Sequence, residues 1–77
     1  MHTFDKELDT TGLTCPMPIM KTKKMLETLS TGQVLLLIAT DPGTKSDIPA
    51  LLGKTGDQII GTREVENKFH FYIRKTS

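Results

Sequence analysis

The chain has 77 residues, with ten lysines and arginines against nine aspartates and glutamates, so its formal net charge is +1. This near-neutral charge offers no general attraction to nucleic acids or membranes, and we expect neither as a direct partner. The length suits one domain over residues 1–77 with a modest core. Because the amino terminus lacks an apolar signal core and no apolar run is long enough to span a membrane, we expect a cytoplasmic protein. We also expect it to be a monomer.

The first third of the chain predicts a short strand, a turn and a helix. Residues 4–9 are predicted as a strand, and Thr10-Thr11-Gly12 as the turn that follows it. Pro16 and Pro18 mark a helix start, because the first turn of a helix does not need the N–H groups that proline lacks. The helical periodicity then places these residues on the core-facing side: Ile19, Thr22, Met25, Leu26 and Leu29.

The middle of the chain predicts a buried strand and a second helix. Gly32 is predicted to end the first helix, and the apolar run over residues 34–39 is predicted as a central strand. Asp41-Pro42-Gly43 is typical of a turn, and Ser46 or Asp47 is predicted to cap the second helix, with Pro49 in its first turn. The apolar residues of this helix are Ile48, Leu51 and Leu52.

The remaining residues predict a β-hairpin, which completes the fold. Gly56 is predicted to end the second helix, and residues 58–60 and 69–73 are predicted as strands that join near residues 66–68. The element order is therefore βαβαββ. It indicates an α/β (α+β) two-layer sandwich in which a mixed four-stranded sheet carries both helices on one face.

Cys15 is the candidate reactive residue, because this lone cysteine lies at the predicted start of a helix. Free N–H groups and the helix dipole favour a thiolate there, so we expect a thiol pKa below its ordinary value of about 8.5. The alternative is a small buried cysteine that fills the core. A dithiol redox cycle is excluded because Pro18 stands where a second cysteine would be needed.

Other chemistry has little support in the sequence. The candidate bases for the thiol are His2, at the terminus, and His70, which alternates with Phe69 and Phe71 and therefore lies on the polar face of a strand. One cysteine and two distant histidines give no metal-ligand spacing, and we expect neither a metal nor a cofactor. What remains is a thiolate that accepts a group from one protein and passes it to another.

A partner-binding surface is predicted on the outer side of the first helix. Met17 and Met20 fall on this side with Lys24, close to Cys15, and methionine adapts easily to different partners. Lys21, Lys23 and Lys24 form a short basic cluster on this helix, and its functional interpretation is docking. The alternative interpretation is an ordinary solvated helix face.

The combination of these motifs resembles the TusA/SirA family of small sulfur-carrier proteins. The matching segments, which extend over nearly the whole chain, are Leu8-Asp9, Gly12-Leu13, Cys15-Pro16-Met17-Pro18, Asp41-Pro42, Asp47-Ile48-Pro49 and Tyr72-Ile73-Arg74-Lys75. The resemblance implies the same βαβαββ sandwich. It also implies that Cys15 accepts sulfane sulfur as a persulfide from a cysteine desulfurase or rhodanese-like donor and passes it to an acceptor protein, in tRNA thiolation or in sulfur oxidation.

The resemblance also implies roles for single residues. Pro16 and Pro18 correspond to the scaffold of the cysteine, Asp41 to a donor contact, and Met20 and Lys23 to an apolar and a basic contact. Glu27 and Leu51-Leu52 depart from the residues common in the family. A second hypothesis, from another class, is a non-catalytic regulatory or protein/RNA-interaction module whose cysteine is structural or redox-sensing.

Overall fold

The computed structural model describes residues 3–76 and has the predicted order of two helices and four strands. The elements are β1 (Lys6–Thr10), α1 (Met17–Glu27), β2 (Val34–Ala39), α2 (Thr44–Thr55), β3 (Gln58–Val65) and β4 (Lys68–Arg74). No helix within residues 3–76 has the length and hydrophobicity needed to cross a membrane.

The four strands form one mixed sheet in the order β1-β2-β4-β3. The two strands that α1 connects, β1 and β2, are parallel neighbours, and β4 is antiparallel to both β2 and β3. Glu66 and Asn67 connect β3 to β4 and both have positive φ, as a two-residue hairpin turn requires. The predicted sandwich, the central position of β2 and the hairpin near residues 66–68 are therefore confirmed.

The core lies between the helices and one face of the sheet. Alternate residues of β2 and β4 point toward the helices, because successive strand residues face opposite sides. The buried cluster consists of Leu26, Leu29, Leu35, Leu37, Ile48, Leu52, Phe71 and Ile73. The predicted inner side of the first helix is confirmed: Thr22 is buried, and Ile19 and Met25 pack against this cluster while half-buried.

Two element boundaries differ from the prediction in the first half of the chain. The first strand begins at Lys6, and Phe4 is 45% exposed outside it. The first helix ends at Glu27, with Thr28 as a right-handed C-cap, several residues before the glycine that was predicted to end it. Gly32 instead forms the turn into β2: its φ is +92°, and its N–H donates to the Lys75 carbonyl at 2.7 Å.

The second helix begins earlier than predicted. Gly43 is its N-cap and Thr44 its first residue, so Ser46 and Asp47 lie within the first turn and neither is the cap. Pro49 consequently lies inside the helix, where proline removes one hydrogen bond of the backbone ladder. The helix continues past it because burial of the helix's apolar face stabilises it. Gly56 ends the helix in a left-handed conformation, as predicted.

We expect Leu26→Ala to destabilise the fold by about 2–5 kcal/mol, because it removes packed atoms from the core and leaves a cavity. Leu26 is 1% exposed. Met20→Ala on the same helix is the matched control, since Met20 is 56% exposed and its loss should change the free energy of unfolding by no more than about 0.5 kcal/mol. Urea unfolding of the two variants measures the difference. Equal destabilisation would contradict the assignment of the inner helix face.

Candidate functional site

The loop from β1 to α1 is tied to the end of β2. The Thr10 hydroxyl donates to the Ile38 carbonyl at 2.6 Å, and the Gly12 N–H donates to the Thr40 hydroxyl at 2.9 Å. Gly12 has a φ of +82°, a conformation that glycine adopts without the steric cost of a side chain. These contacts fix the path of the backbone that leads to Cys15.

Asp41 joins this loop to the start of α2. One oxygen of its carboxylate, Oδ2, accepts the N–H of Cys15 at 2.9 Å, and the other, Oδ1, accepts the N–H of Gly43 at 3.0 Å. The Asp41 carbonyl accepts the N–H and the hydroxyl of Thr44 at 3.0 and 2.7 Å. Because Asp41 spans two chain segments, it holds Cys15 in a set position relative to the second helix.

Cys15 is an exposed free cysteine that immediately precedes α1. Pro16 is the N-cap, joined to Cys15 by a cis peptide bond, and Pro18 is the second helical residue. The buried, core-filling alternative for this cysteine is therefore wrong. Pro16 and Pro18 have no N–H, and the N–H of Met17 is bonded to the Thr14 carbonyl at 2.9 Å. The start of this helix therefore offers the thiol few free donors.

Two carboxylates raise the pKa of the Cys15 thiol. A hydrogen bond to Asp47 is the largest cause, followed by partial desolvation and by the negative charges of Asp47 and Asp41. All of these favour the neutral thiol over the thiolate. The prediction of a lowered pKa is therefore wrong, because it considered the helix start and not the carboxylates that residues 41 and 47 bring to Cys15.

A groove of about 260 Å³ opens beside the thiol, between the two helices. Its lining residues are Cys15, Pro16, Ile19, Asp47, Ala50, Leu51 and Lys54. Four of these residues belong to α2 and are spaced three or four positions apart, so they share one helix face. They are Asp47, Ala50, Leu51 and Lys54. This periodicity was a usable signal for Asp47 and Lys54, although neither residue was predicted from the sequence to belong to the site.

The predicted docking residues are placed on the surface of α1. Met17 is 41% exposed, and Lys23 and Lys24 are exposed. Met17, Met20 and Lys24 lie on the helix side opposite the buried residues, and Lys23 lies at the edge of that side. Pro18 lies on the inner side and is fully buried, so it contributes to the core as well as to the helix start.

The structure does not bring a histidine to Cys15. His70 lies on the face of β4 opposite the core residues Phe71 and Ile73, as the alternation predicted, and it does not line the groove. His2 lies outside the described residues. Within residues 3–76 there is no group of three histidine, cysteine, aspartate or glutamate side chains placed to hold a metal ion. The ionisable groups that act on the thiol are thus carboxylates.

Comparison with known proteins identifies close relatives. A family model described as "Sulfurtransferase TusA" matches residues 6–75. The sulfur carrier protein TusA of Allochromatium vinosum is 49% identical over 76 residues, which cover 99% of this chain and 100% of the relative. The sulfur carrier protein TusA of Pseudomonas entomophila is 42% identical over 71 residues, which cover 92% of this chain and 89% of the relative.

A solved structure supports the same fold. The crystal structure of a SirA-like protein from Desulfitobacterium hafniense matches with a TM-score of 0.81, covering 95% of this chain and 100% of that one. The two sequences are 20% identical, so this similarity shows the shared architecture of two helices on a four-stranded sheet and nothing about activity.

We expect Asp41→Ala to loosen the segment that carries Cys15, because the N–H groups of Cys15 and Gly43 both lose their acceptor. The expected cost in unfolding free energy is about 1–2 kcal/mol, and amide hydrogen exchange at these two positions should become faster. Asp41→Asn is the matched control, since its side-chain oxygen can still accept one of the two bonds. Unchanged exchange at Cys15 in the alanine variant would show that Asp41 does not hold this loop.

Proposed function

The chain belongs to the TusA sulfurtransferase family and is a sulfur carrier, and we propose that Cys15 carries the sulfur as a persulfide. The observation that supports this assignment is the position of Cys15: it is the one cysteine in the sequence, and its free thiol is exposed at the edge of a groove. A carrier must present its sulfur to two different proteins in turn. An exposed thiol ahead of a helix meets that requirement.

The proposed transfer needs no cofactor. On loading, the Cys15 sulfur attacks the outer sulfur of a donor persulfide, and the bond between the two donor sulfurs breaks with its electron pair on the inner one. Cys15 loses one proton and the departing donor thiolate gains one, so neither an oxidant nor a reductant is consumed. On unloading, the thiolate of an acceptor attacks the outer sulfur in the same way, and Cys15 leaves.

The proposed partners are proteins that supply and accept sulfane sulfur. A cysteine desulfurase or a rhodanese-like protein is the proposed donor, and the acceptors belong to tRNA thiolation or to sulfur oxidation and trafficking. A monomer in the cytoplasm suits these exchanges, because the reducing compartment keeps Cys15 free. Pro16 and Pro18 serve as the scaffold of the thiol.

The proposed docking surface is the exposed side of α1 next to Cys15, formed by Met17, Met20, Lys23 and Lys24. Two exposed methionines offer apolar contact that adapts to more than one partner, and the lysines favour an acidic partner surface. Asp41 is the further proposed donor contact. Each of its carboxylate oxygens accepts one backbone hydrogen bond and keeps a second lone pair for a partner.

We expect Cys15→Ser to abolish sulfur transfer while the protein remains folded, because a hydroxyl cannot hold a persulfide and Cys15 is exposed. The wild-type protein, incubated with a cysteine desulfurase and cysteine, should gain the mass of one sulfur on the peptide that contains Cys15. Mass spectrometry without reductant measures this gain. A serine variant that still relays sulfur to an acceptor would contradict the assignment.

We expect Met20→Asp and the charge reversal Lys24→Glu to weaken donor binding with little change in melting temperature, because both side chains are exposed. Titration against the desulfurase, together with thermal melts, measures the two effects. Lys75→Glu is the control, since it makes the same charge change outside the proposed docking surface. Unchanged affinity in both α1 variants would remove this side of the helix from the interface.

A further inference from the structure

Asp47 lies beside the reacting sulfur and was not identified from the sequence as a site residue. It belongs to the first turn of α2, where its N–H donates to the Gly43 carbonyl at 3.0 Å. Its half-buried side chain lines the same groove as Cys15. Hydrogen bonding to this carboxylate is the largest cause of the raised pKa of the Cys15 thiol. The carboxylate therefore lies beside the atom at which sulfur is bound and released.

The charges around Cys15 are mostly negative. Within residues 3–76 the structure has one ion pair, between Lys45 and Glu64 at 3.4 Å, and it does not involve the carboxylates near the thiol. The carboxylates of Asp41 and Asp47 both lie close to Gly43: a Cβ added there would be 3.4 Å from Asp41 Oδ1 and 3.6 Å from Asp47 Oδ2. Lys54, which also lines the groove, is the one cation in that lining.

Building on the assignment of Cys15 as the sulfur-carrying residue, we propose that Asp47 keeps the Cys15 thiol protonated. Asp47 thereby makes Cys15 a site that retains its bound sulfur. A cysteine with a raised thiol pKa is a strong nucleophile once it has lost its proton, and it is a poor leaving group when its persulfide is attacked. Asp47 thereby slows the loss of sulfur to small thiols in solution. The loaded carrier keeps its sulfur until an acceptor protein engages it.

The proposal assigns a proton path to the transfer. During loading, the Asp47 carboxylate accepts the proton of Cys15 as the new sulfur–sulfur bond forms, and the same proton then passes to the departing donor thiolate. During unloading, an acceptor thiolate takes the outer sulfur, and the Cys15 thiolate takes up the proton that the acceptor thiol released when it ionised. Each transfer conserves protons and electrons, and no further reactant takes part.

The first test is the rate at which iodoacetamide alkylates Cys15 as a function of pH, in the full chain and in Asp47→Asn. A lower thiol pKa has two opposing effects on the alkylation rate: it increases the fraction of Cys15 present as thiolate, and it makes each thiolate a weaker nucleophile. The first effect is the larger one at neutral pH. The variant should therefore react faster there, by about threefold for each unit by which its thiol pKa falls. At a pH where both thiols are ionised it should react more slowly, by a similar factor.

The crossing of these two pH profiles is the signature of the proposed role. A variant that merely exposed Cys15 would react faster at every pH, and this outcome would overturn the proposal. Glu27→Gln removes the same charge from the exposed end of α1 and should follow the wild-type profile. Asp47→Ser provides a second uncharged side chain, so that the comparison stands if the asparagine variant folds poorly.

The second test measures retention of sulfur on the loaded protein. Wild type and Asp47→Asn are each loaded to one persulfide, and the release of that sulfur to glutathione at neutral pH is followed by mass spectrometry. The asparagine variant should release its sulfur faster because its cysteine is a better leaving group. Equal or slower release would overturn the proposal. Alkylation needs no sulfur transfer, so a carrier that cannot be loaded would refute the proposed function separately.

Discussion

The bridge that Asp41 makes between two backbone segments is the constraint on which the functional site depends. Cys15 belongs to a loop with no regular structure of its own, and a loop of this kind has many conformations that folding must restrict. Asp41 accepts a hydrogen bond from this loop and another from the N-cap of α2. Together with the hydrogen bonds of Thr10 and Gly12, this side chain sets the position of the thiol relative to Asp47.

The protonation of Cys15 illustrates how tertiary contacts outweigh a local helix effect. A helix start favours a thiolate through free N–H groups and through its dipole, and both influences fade within the first turn. Here prolines occupy two of the positions that would supply N–H groups, while the second helix brings the Asp47 carboxylate into the groove beside the thiol. Hydrogen bonding to this carboxylate, and its negative charge, raise the pKa of Cys15, so the neutral form is favoured.

Hydrophobic patterning was sufficient to predict the fold, because every predicted element exists and the α1 residues expected to face inward are buried or pack on the core. The errors lie at element ends, where local signals compete. Gly32 was taken as a helix end, but its positive φ serves the turn into β2 instead. Pro49 suggested a helix start, whereas α2 begins five residues earlier, at Thr44. The thiol and its flanking prolines were identified from local sequence. The helical spacing of Asp47 and Lys54 shows that they share one face of α2, but only the packing of the two helices brings that face to Cys15.

The arrangement also separates the two demands on a sulfur carrier. Recognition by changing partners needs an adaptable surface, and the exposed side of α1 offers one without contributing to the core. Control of reactivity needs fixed geometry, and Asp47 supplies it from a different helix, held by the backbone hydrogen bonds of the first turn of α2. Because the proposed docking surface and Asp47 lie on different elements, we expect substitutions on α1, such as the departure at Glu27, to alter the choice of partner while the chemistry of Cys15 stays the same. Leu51 lines the groove beside Cys15 and Leu52 is buried in the core, so the departure at these two positions lies outside the proposed docking surface.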